Sequence, residues 1–480
     1  MFYTFKGGMA MIKTKCVRLL VLFLALILVV TLSGCKENKT ETANTSVKVS
    51  EDNIDLQGRV IKVDTVNEYY VPKEDDSELK NEIQKKLNRV MLARQKEVES
   101  KFNCKIEWRV MQKSDMAQLY NKIKNGEYDG DIVYLNIQLG AVGMLNENLI
   151  APLDEYIDFS SGVYSNGQEV SVWKGKHYGI NFASLQLGQF LFYNKTMLAD
   201  EGLPDPYELM KTGQWTWEAF LDIVKGTTKD TNGDNVIDCW GIEGNYTTLY
   251  NNFLCTNNGD YIAEEGNQYK LVLDSPESLE ALNFVTDLYK RDKVVYDRVL
   301  NRALNNMNTD GFNESGGQAE SSGRTASLFS QGKAAFSTSG SQQNDNFEIG
   351  TVCYPKGPKA SDYITFQTAG DFYAIPASVE DVKSVAVVMA NLFSYFDDTK
   401  EEYITYDDLG ISETIPDELR DILQNNIKYS WFIYNNNYLH YLNDVYENIL
   451  VKNNSVDEAI NIEKASITEM LDTFNQVAVQ

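Results

Sequence analysis

The stretch FLFYNKTMLADEGLPDPYELMKTGQWTW, Phe190 to Trp217, leaves the backbone few choices. The apolar run Phe190 to Tyr193 suits a strand. Thr196 to Glu201 reads as a helical turn stopped by Gly202, and Pro204 and Pro206 forbid its continuation. Thr216 then caps a new helix, Glu218 sits in its first turn, and Ala219, Phe220, Ile223 and Val224 form an apolar stripe at helical spacing. A strand therefore hands the chain to a new set of helices, as at a crossing between domains.

The 480 residues, 43% hydrophobic, suffice for two or more cores, and a net charge of −25 repels phosphate backbones and anionic lipid. Nucleic acid is excluded as a partner. Lys6, Lys13, Lys15 and Arg18 precede an apolar run from Leu19 to Leu32, too short to span a bilayer but suited to a signal-peptide core. Leu32-Ser33-Gly34-Cys35 follows, resembling the bacterial lipobox, which implies lipidation of Cys35 and a signal peptide over residues 1–34. Residues 35–57 are polar and read as a flexible tether. Cys104, Cys239, Cys255 and Cys353 show no metal or redox spacing and read as free thiols, with a Cys239–Cys255 disulfide as the alternative.

Folding is expected from Gly58. GRVIKVDTV is strand-like, Leu79, Ile83, Leu87, Met91, Val98 and Phe102 mark one face of a long helix, and CKIEWRVM returns as a strand. After a second helix, Ile132 to Leu135 forms another strand ending at Asn136 and Gln138. This is an open, mainly parallel α/β sheet, in which ligands lie beyond the strand carboxyl ends. The rule selects Asn67 and Tyr69 after the first strand, and Asn136 and Gln138 after the third. Farther on, Ser275 with Pro276 opens a helix whose Leu279, Leu282, Val285, Leu288 and Tyr289 face inward, while residues 309–323 are rich in Gly, Ser and Asn and read as a loop. Asp230, Asn232, Asp234, the Val236 carbonyl and Asp238 stand at the ligand positions of an EF-hand-like loop, which suggests a structural calcium. Asn235 and Gly241 replace its usual Gly and bidentate Glu, and Asx turns account for the same residues equally well.

FLFYNKTML followed by WTWEAF resembles the best-marked segment of the family 1 extracellular solute-binding proteins of bacterial ABC importers, the maltose-binding type in its lipoprotein form. LIAPLDEYI and KGKHYGINFAS precede it in the family's order; LFSQGKAAFSTSG resembles the second crossing, and TAGDFYAIPAS the penultimate strand and third crossing. The resemblance implies a two-lobe, periplasmic-binding-protein-like fold of type II with a hinged cleft. Lobe 1 would comprise residues 58–190 with 325–375, and lobe 2 residues 191–324 with 376–480. It further implies a monomer outside the cytoplasm, lipid-anchored to the cell membrane, that captures a carbohydrate by hinge closure and delivers it to a membrane permease.

Sugars present apolar C–H faces and a rim of hydroxyls, so their sites combine aromatic platforms with amides and carboxylates. Where the resemblance puts the cleft stand Tyr246, Tyr250, Tyr373 and Trp431, with Ser339, Gln342 and Asp371 joining Asn136 and Gln138 as polar partners. Trp215 and Trp217 read instead as packing at a helix start. The maltose-binding pattern has an aromatic where Gln342 stands and an Asp near Gln138, which argues against maltodextrin itself. A peptide or other polar solute is the alternative ligand. Enzyme chemistry lacks a motif: His177 and His440 sit in none, and an exported carbohydrate-active enzyme would need a carboxylate pair that spacing does not define.

Overall fold

Alternation of Ile61 and Val63 with polar neighbours makes Arg59–Thr65 a strand, and its apolar face needs a partner before it leaves water. That partner is the helix Glu82–Phe102, whose Leu87, Met91, Val98 and Phe102 are buried. Asn81 caps it by accepting the Gln84 N–H at 2.8 Å, and Asn103, at φ 48°, turns the chain into the strand Cys104–Val110. The helix starts later than the apolar spacing suggests, leaving Leu79 outside it and Ile83 exposed. The structure, a computed structural model, describes residues 48–477 except 50, 52–53, 67, 78, 80, 137–140, 161–163, 165–167, 182–186, 267, 305–326, 340–343, 345, 368–370, 395–402, 406–414 and 429–435. Cys35 and the loop over residues 309–323 lie outside the described residues.

Two sheets organise the described chain. In the first, Arg59–Thr65 pairs in parallel with Cys104–Val110 on one side and with Ile132–Asn136 on the other. Asp371–Ala374 closes this four-stranded sheet, antiparallel to Ile132–Asn136. In the second, the order is Val295–Tyr296, Trp240–Glu243, Ala334–Ser337, Phe190–Asn194, Ile349–Cys353, with Phe190–Asn194 antiparallel to both of its neighbours. Leu191 and Tyr193 face the main core, whereas Phe190 and Phe192 join Trp240, Tyr296, Leu328 and Phe329 in a second cluster.

The expected switch from sheet to helices after Tyr193 is present. Asn194 caps Lys195–Asp200, Asp205 caps Pro206–Lys211, and Thr216 caps Trp217–Thr227. Trp215 and Trp217 pack as read: the Trp215 indole donates to the Cys353 carbonyl at 2.8 Å, and Trp217 stacks on Phe284 with ring centres 4.4 Å apart. The helix Pro276–Lys290 begins at its Ser275 cap, with Leu282, Val285 and Leu288 buried.

Sheet membership moves the expected lobe boundaries. Ile180 still bridges to Tyr373 of the first sheet, while Phe190 already belongs to the second, so the first crossing falls between them. Ala334–Ser337 and Ile349–Cys353 pair within the second sheet, so the chain returns to the first only at Asp371, not near residue 325. It then stays: Val382–Leu392 packs on Glu82–Phe102, Ala390 accepts the Tyr164 hydroxyl at 2.5 Å, and Tyr403 bonds Arg94. After Tyr403 the described chain is next tied to the second lobe at Glu418, which accepts the Tyr207 hydroxyl, and Ile427–Lys428 pairs with Thr365–Phe366. The physical reason is that strand pairing, not chain order, decides which core a segment closes.

Near these crossings the segments lie side by side. The Gly188 and Gln189 N–H groups donate to Leu423 and Phe366 at 2.7 and 2.8 Å, and a Cβ on Gly188 would fall 1.9 Å from the Thr365 hydroxyl oxygen. Only glycine lets the strands approach so closely. The N-terminal segment also differs from expectation, because its end is docked. Lys48 donates its backbone N–H to Tyr156, Leu56 to Phe102, and Glu51 pairs with Lys101 and accepts from Asn391.

Candidate ligand-binding cleft

The parallel strands of the first sheet end at Thr65, Val110 and Asn136, and the antiparallel fourth strand starts at the same edge with Asp371. Register sets Asp371 opposite Asn136, and the Asn136 amide donates to the Asp371 carboxylate. Sheet pairing thus joins two predicted residues 235 positions apart in sequence. Tyr134, one pleat back, also bonds Asp371; burial first and that carboxylate second raise its hydroxyl pKa. Both partners of the Asn136–Asp371 pair are half-buried and combine donor and acceptor atoms, which suits a hydroxyl-bearing ligand.

The corresponding edge of the second sheet is built from Tyr296, Glu243 and Ser337, followed by Asp297, Gly244 and Thr338. Its backbone is tied across: Gly244 N–H donates to Tyr296, and Thr338 N–H to Glu243, at 3.1 and 3.0 Å. Exposed Ser339 donates its N–H to the Ser337 hydroxyl at 3.2 Å, and that hydroxyl donates back to the Ser339 carbonyl. Glu243, Asn245 and Asp297 escaped the sequence reading, although the strand-end rule that selected Asn136 would also have selected the first two in GIEGN and the third in VVYDR.

Asp297 is the anchor of this edge. It is 2% exposed, and its Oδ1 accepts the Val299 and Leu300 N–H groups at 2.8 and 2.9 Å. Its Oδ2 accepts the Tyr246 N–H at 2.6 Å and the Tyr289 hydroxyl at 2.8 Å. One carboxylate therefore fixes the starts of Tyr246–Thr256 and Arg298–Leu304 against the helix Pro276–Lys290. Burial raises its pKa while these hydrogen bonds oppose the rise.

Several predicted aromatics are core residues in this arrangement. Tyr373 is 0% exposed, its hydroxyl bonds Thr65 at 2.9 Å, and its ring stacks on Phe393 at 4.3 Å. Tyr250 is likewise 0% exposed, bonding Thr286 at 2.9 Å and stacking on Tyr446 at 4.3 Å. Neither ring has a face open to a ligand. Tyr246, on the same helix as Tyr250, is buried too and meets Tyr446 edge-on. The reason is non-local: the Asn436–Leu450 helix supplies Tyr446, and burying aromatic area against it outweighs leaving the rings in water. Tyr69 falls in a single 3-10 turn, Glu68–Tyr70, after the first strand, while Asn67, Gln138, Gln342 and Trp431 lie outside the described residues.

The Asp230–Asp238 loop has the Asx-turn form. Asp230 accepts the N–H groups of Asn232, Gly233 and Asn235, Asn232 that of Asp234, Asp234 that of Val236, and Asp238 that of Thr231. Among the described residues no three His, Cys, Asp or Glu side chains converge as a metal site. Cys239 and Cys255 are free thiols. His177 bonds Asp154 at 2.7 Å, and exposed His440 lies 3.4 Å from Asp444.

The family of bacterial extracellular solute-binding proteins matches residues 93–401. No curated protein matches the chain. Among solved structures, an ABC substrate-binding protein of Listeria monocytogenes in complex with cycloalternan shares 15% identity, with 86% of this chain and 99% of that one covered at a TM-score of 0.51. UspC of M. tuberculosis shares 15% identity over 85% and 98% of the two chains at 0.57. The GacH receptor of Streptomyces glaucescens, solved unliganded and with acarbose, shares 14% over 86% and 99% at 0.52. At such identities the likeness is one of fold, and that fold is the two-lobed one built above. The family match, extending over well over half of the sequence, decides the rest: this chain belongs to the bacterial extracellular solute-binding proteins, which bind their targets and are not enzymes.

Proposed function

We propose that this protein is the substrate-binding component of an ABC importer, anchored to the outer face of the cell membrane through lipid on Cys35, and that it captures a carbohydrate and delivers it to a membrane permease. The observation carrying this reading is the polar pair Asn136–Asp371 at the strand ends of one lobe, in a chain whose second lobe presents its own strand ends and Ser339. Structures of the same fold that hold cycloalternan and acarbose support the choice of sugar over peptide. Asn67, Tyr69, Gln138, Gln342 and Trp431 complete the ligand contacts, with Trp431 as the aromatic platform. Ligand touching both lobes stabilises the closed arrangement over the open one, because only the closed one makes both sets of contacts.

The test is a melting-temperature screen of the purified protein against oligosaccharides and peptides. A sugar should raise the midpoint. Asn136→Ala and Asp371→Ala should each weaken its binding about tenfold, the effect of losing a hydrogen bond of about 1–1.5 kcal/mol. Stabilisation by peptides alone would overturn the sugar assignment.

A further inference from the structure

Two hairpins, one on each lobe, meet ring to ring. On the first lobe, Val172 pairs with His177 and Trp173 with Lys176 around a two-residue turn, Lys174 and Gly175, with φ of 48° and 73°. Positive φ at both positions matches the twist of a tight hairpin and leaves its tip little freedom. The hairpin is also fixed at its base. The His177 N–H donates to Asp154 at 2.9 Å, and the His177 ring stacks on Phe159 with centres 4.0 Å apart and an interplanar angle of 6°.

On the second lobe, Ile262–Glu265 pairs with Gln268–Leu271. The backbone of Tyr269 is clamped by one side chain of the Val456–Val477 helix. Its N–H donates to Asn475 Oδ1 at 2.7 Å, and Asn475 Nδ2 donates to its carbonyl at 3.0 Å. The Trp173 and Tyr269 rings stack with centres 5.7 Å apart and an interplanar angle of 29°. They are 2% and 5% exposed, so parting the hairpins would open two aromatic faces to water. Beside them, the Lys174 ammonium lies 5.6 Å from the centre of the Trp173 ring and within electrostatic reach of Glu264 on the facing hairpin.

We propose that the Trp173–Tyr269 stack is an interlobe contact that biases the unliganded protein toward the lobe arrangement described here. Both rings are held by rigid mounts belonging to different lobes, so lobe rotation at this point cannot be absorbed by side-chain flexing and must break the stack. The contact thereby enters the balance between arrangements independently of any group at the strand ends, and it sets how much of the ligand's binding energy is consumed in changing that balance.

The test uses pulsed electron spin resonance between labels at exposed Ser100 and Ala465, on helices of the two lobes, in the full chain carrying Cys239→Ser and without ligand. Trp173→Leu and Tyr269→Leu, which keep apolar bulk within each lobe, should each lower the ratio of the described arrangement to others by about two- to tenfold, the range of an aromatic pair. The double variant should go no further than either single one, as for one shared contact, and Tyr269→Phe should behave as wild type. Should a leucine variant fail to fold, Lys174→Glu, which sets like charges opposite Glu264, must produce the same shift. Folded variants with the wild-type distance distribution would overturn the proposal, as would independent, additive effects of the two leucines.

Discussion

Replacing Asp297 by Asn keeps its shape and removes one acceptor. The four donors converge on two oxygens, and an amide offers only one. If that oxygen faces Val299 and Leu300, the new amino group can donate to the Tyr289 hydroxyl, which rotates to accept it, but it meets the Tyr246 N–H donor to donor. A buried N–H left without an acceptor costs about 1–3 kcal/mol, and removing a desolvated charge offsets part of this. Asp297→Ala deprives all four donors and should cost about 3–5 kcal/mol, as when a buried charged partner is removed. Urea unfolding at pH 7, with unchanged slopes, measures both. The sign with pH follows from the raised folded pKa. Stability from the protonated group is fully present below the unfolded value of 3.8 and is lost as pH rises through the folded value, so the margin of wild type over the Asn variant should shrink with rising pH. An Asn variant as stable as wild type, with an Ala variant costing less than about 1 kcal/mol, would refute the view of Asp297 as the anchor of this edge.

The hydrogen bonds from Lys62 and then Arg109 hold the Asp129 carboxyl down at about 2, so its contribution is present above 3.8 and lost as pH falls toward 2. Asp129→Asn should therefore flatten the acid side of a melting-temperature profile taken between those values. The Asx turns already hold the Asp230–Asp238 loop without a cation, so on that reading melting in excess calcium and in chelator should coincide, whereas a calcium-dependent rise would support the calcium reading. Cys35→Ala should release the protein from the membrane fraction of its host, and continued anchoring would refute lipidation at that position.

The sequence by itself determined what depends on near neighbours. Strand alternation in RVIKVDT, the caps Thr216 and Ser275, and the breakers Gly202, Pro204 and Pro206 act within a few residues, and the structure places strands, helix starts and turns accordingly. The order of segments sufficed for the family, and the strand-end rule for Asn136 and the resemblance for Asp371 sufficed to make them separate candidates. Their pairing was not legible, since it rests on an antiparallel register between strands 235 residues apart. Tertiary structure alone decided the lobe boundaries, because Phe190–Asn194 had to find Ala334–Ser337 on one side and Ile349–Cys353 on the other before either could be assigned. It also decided which aromatics are core. Tyr250 and Tyr373 look in sequence like any ring near a cleft, and they lose their open faces only because Tyr446 and Phe393 arrive from far along the chain to cover them. Backbone preference is local, whereas burial is a property of whatever packs on top, and no short window of sequence contains that partner.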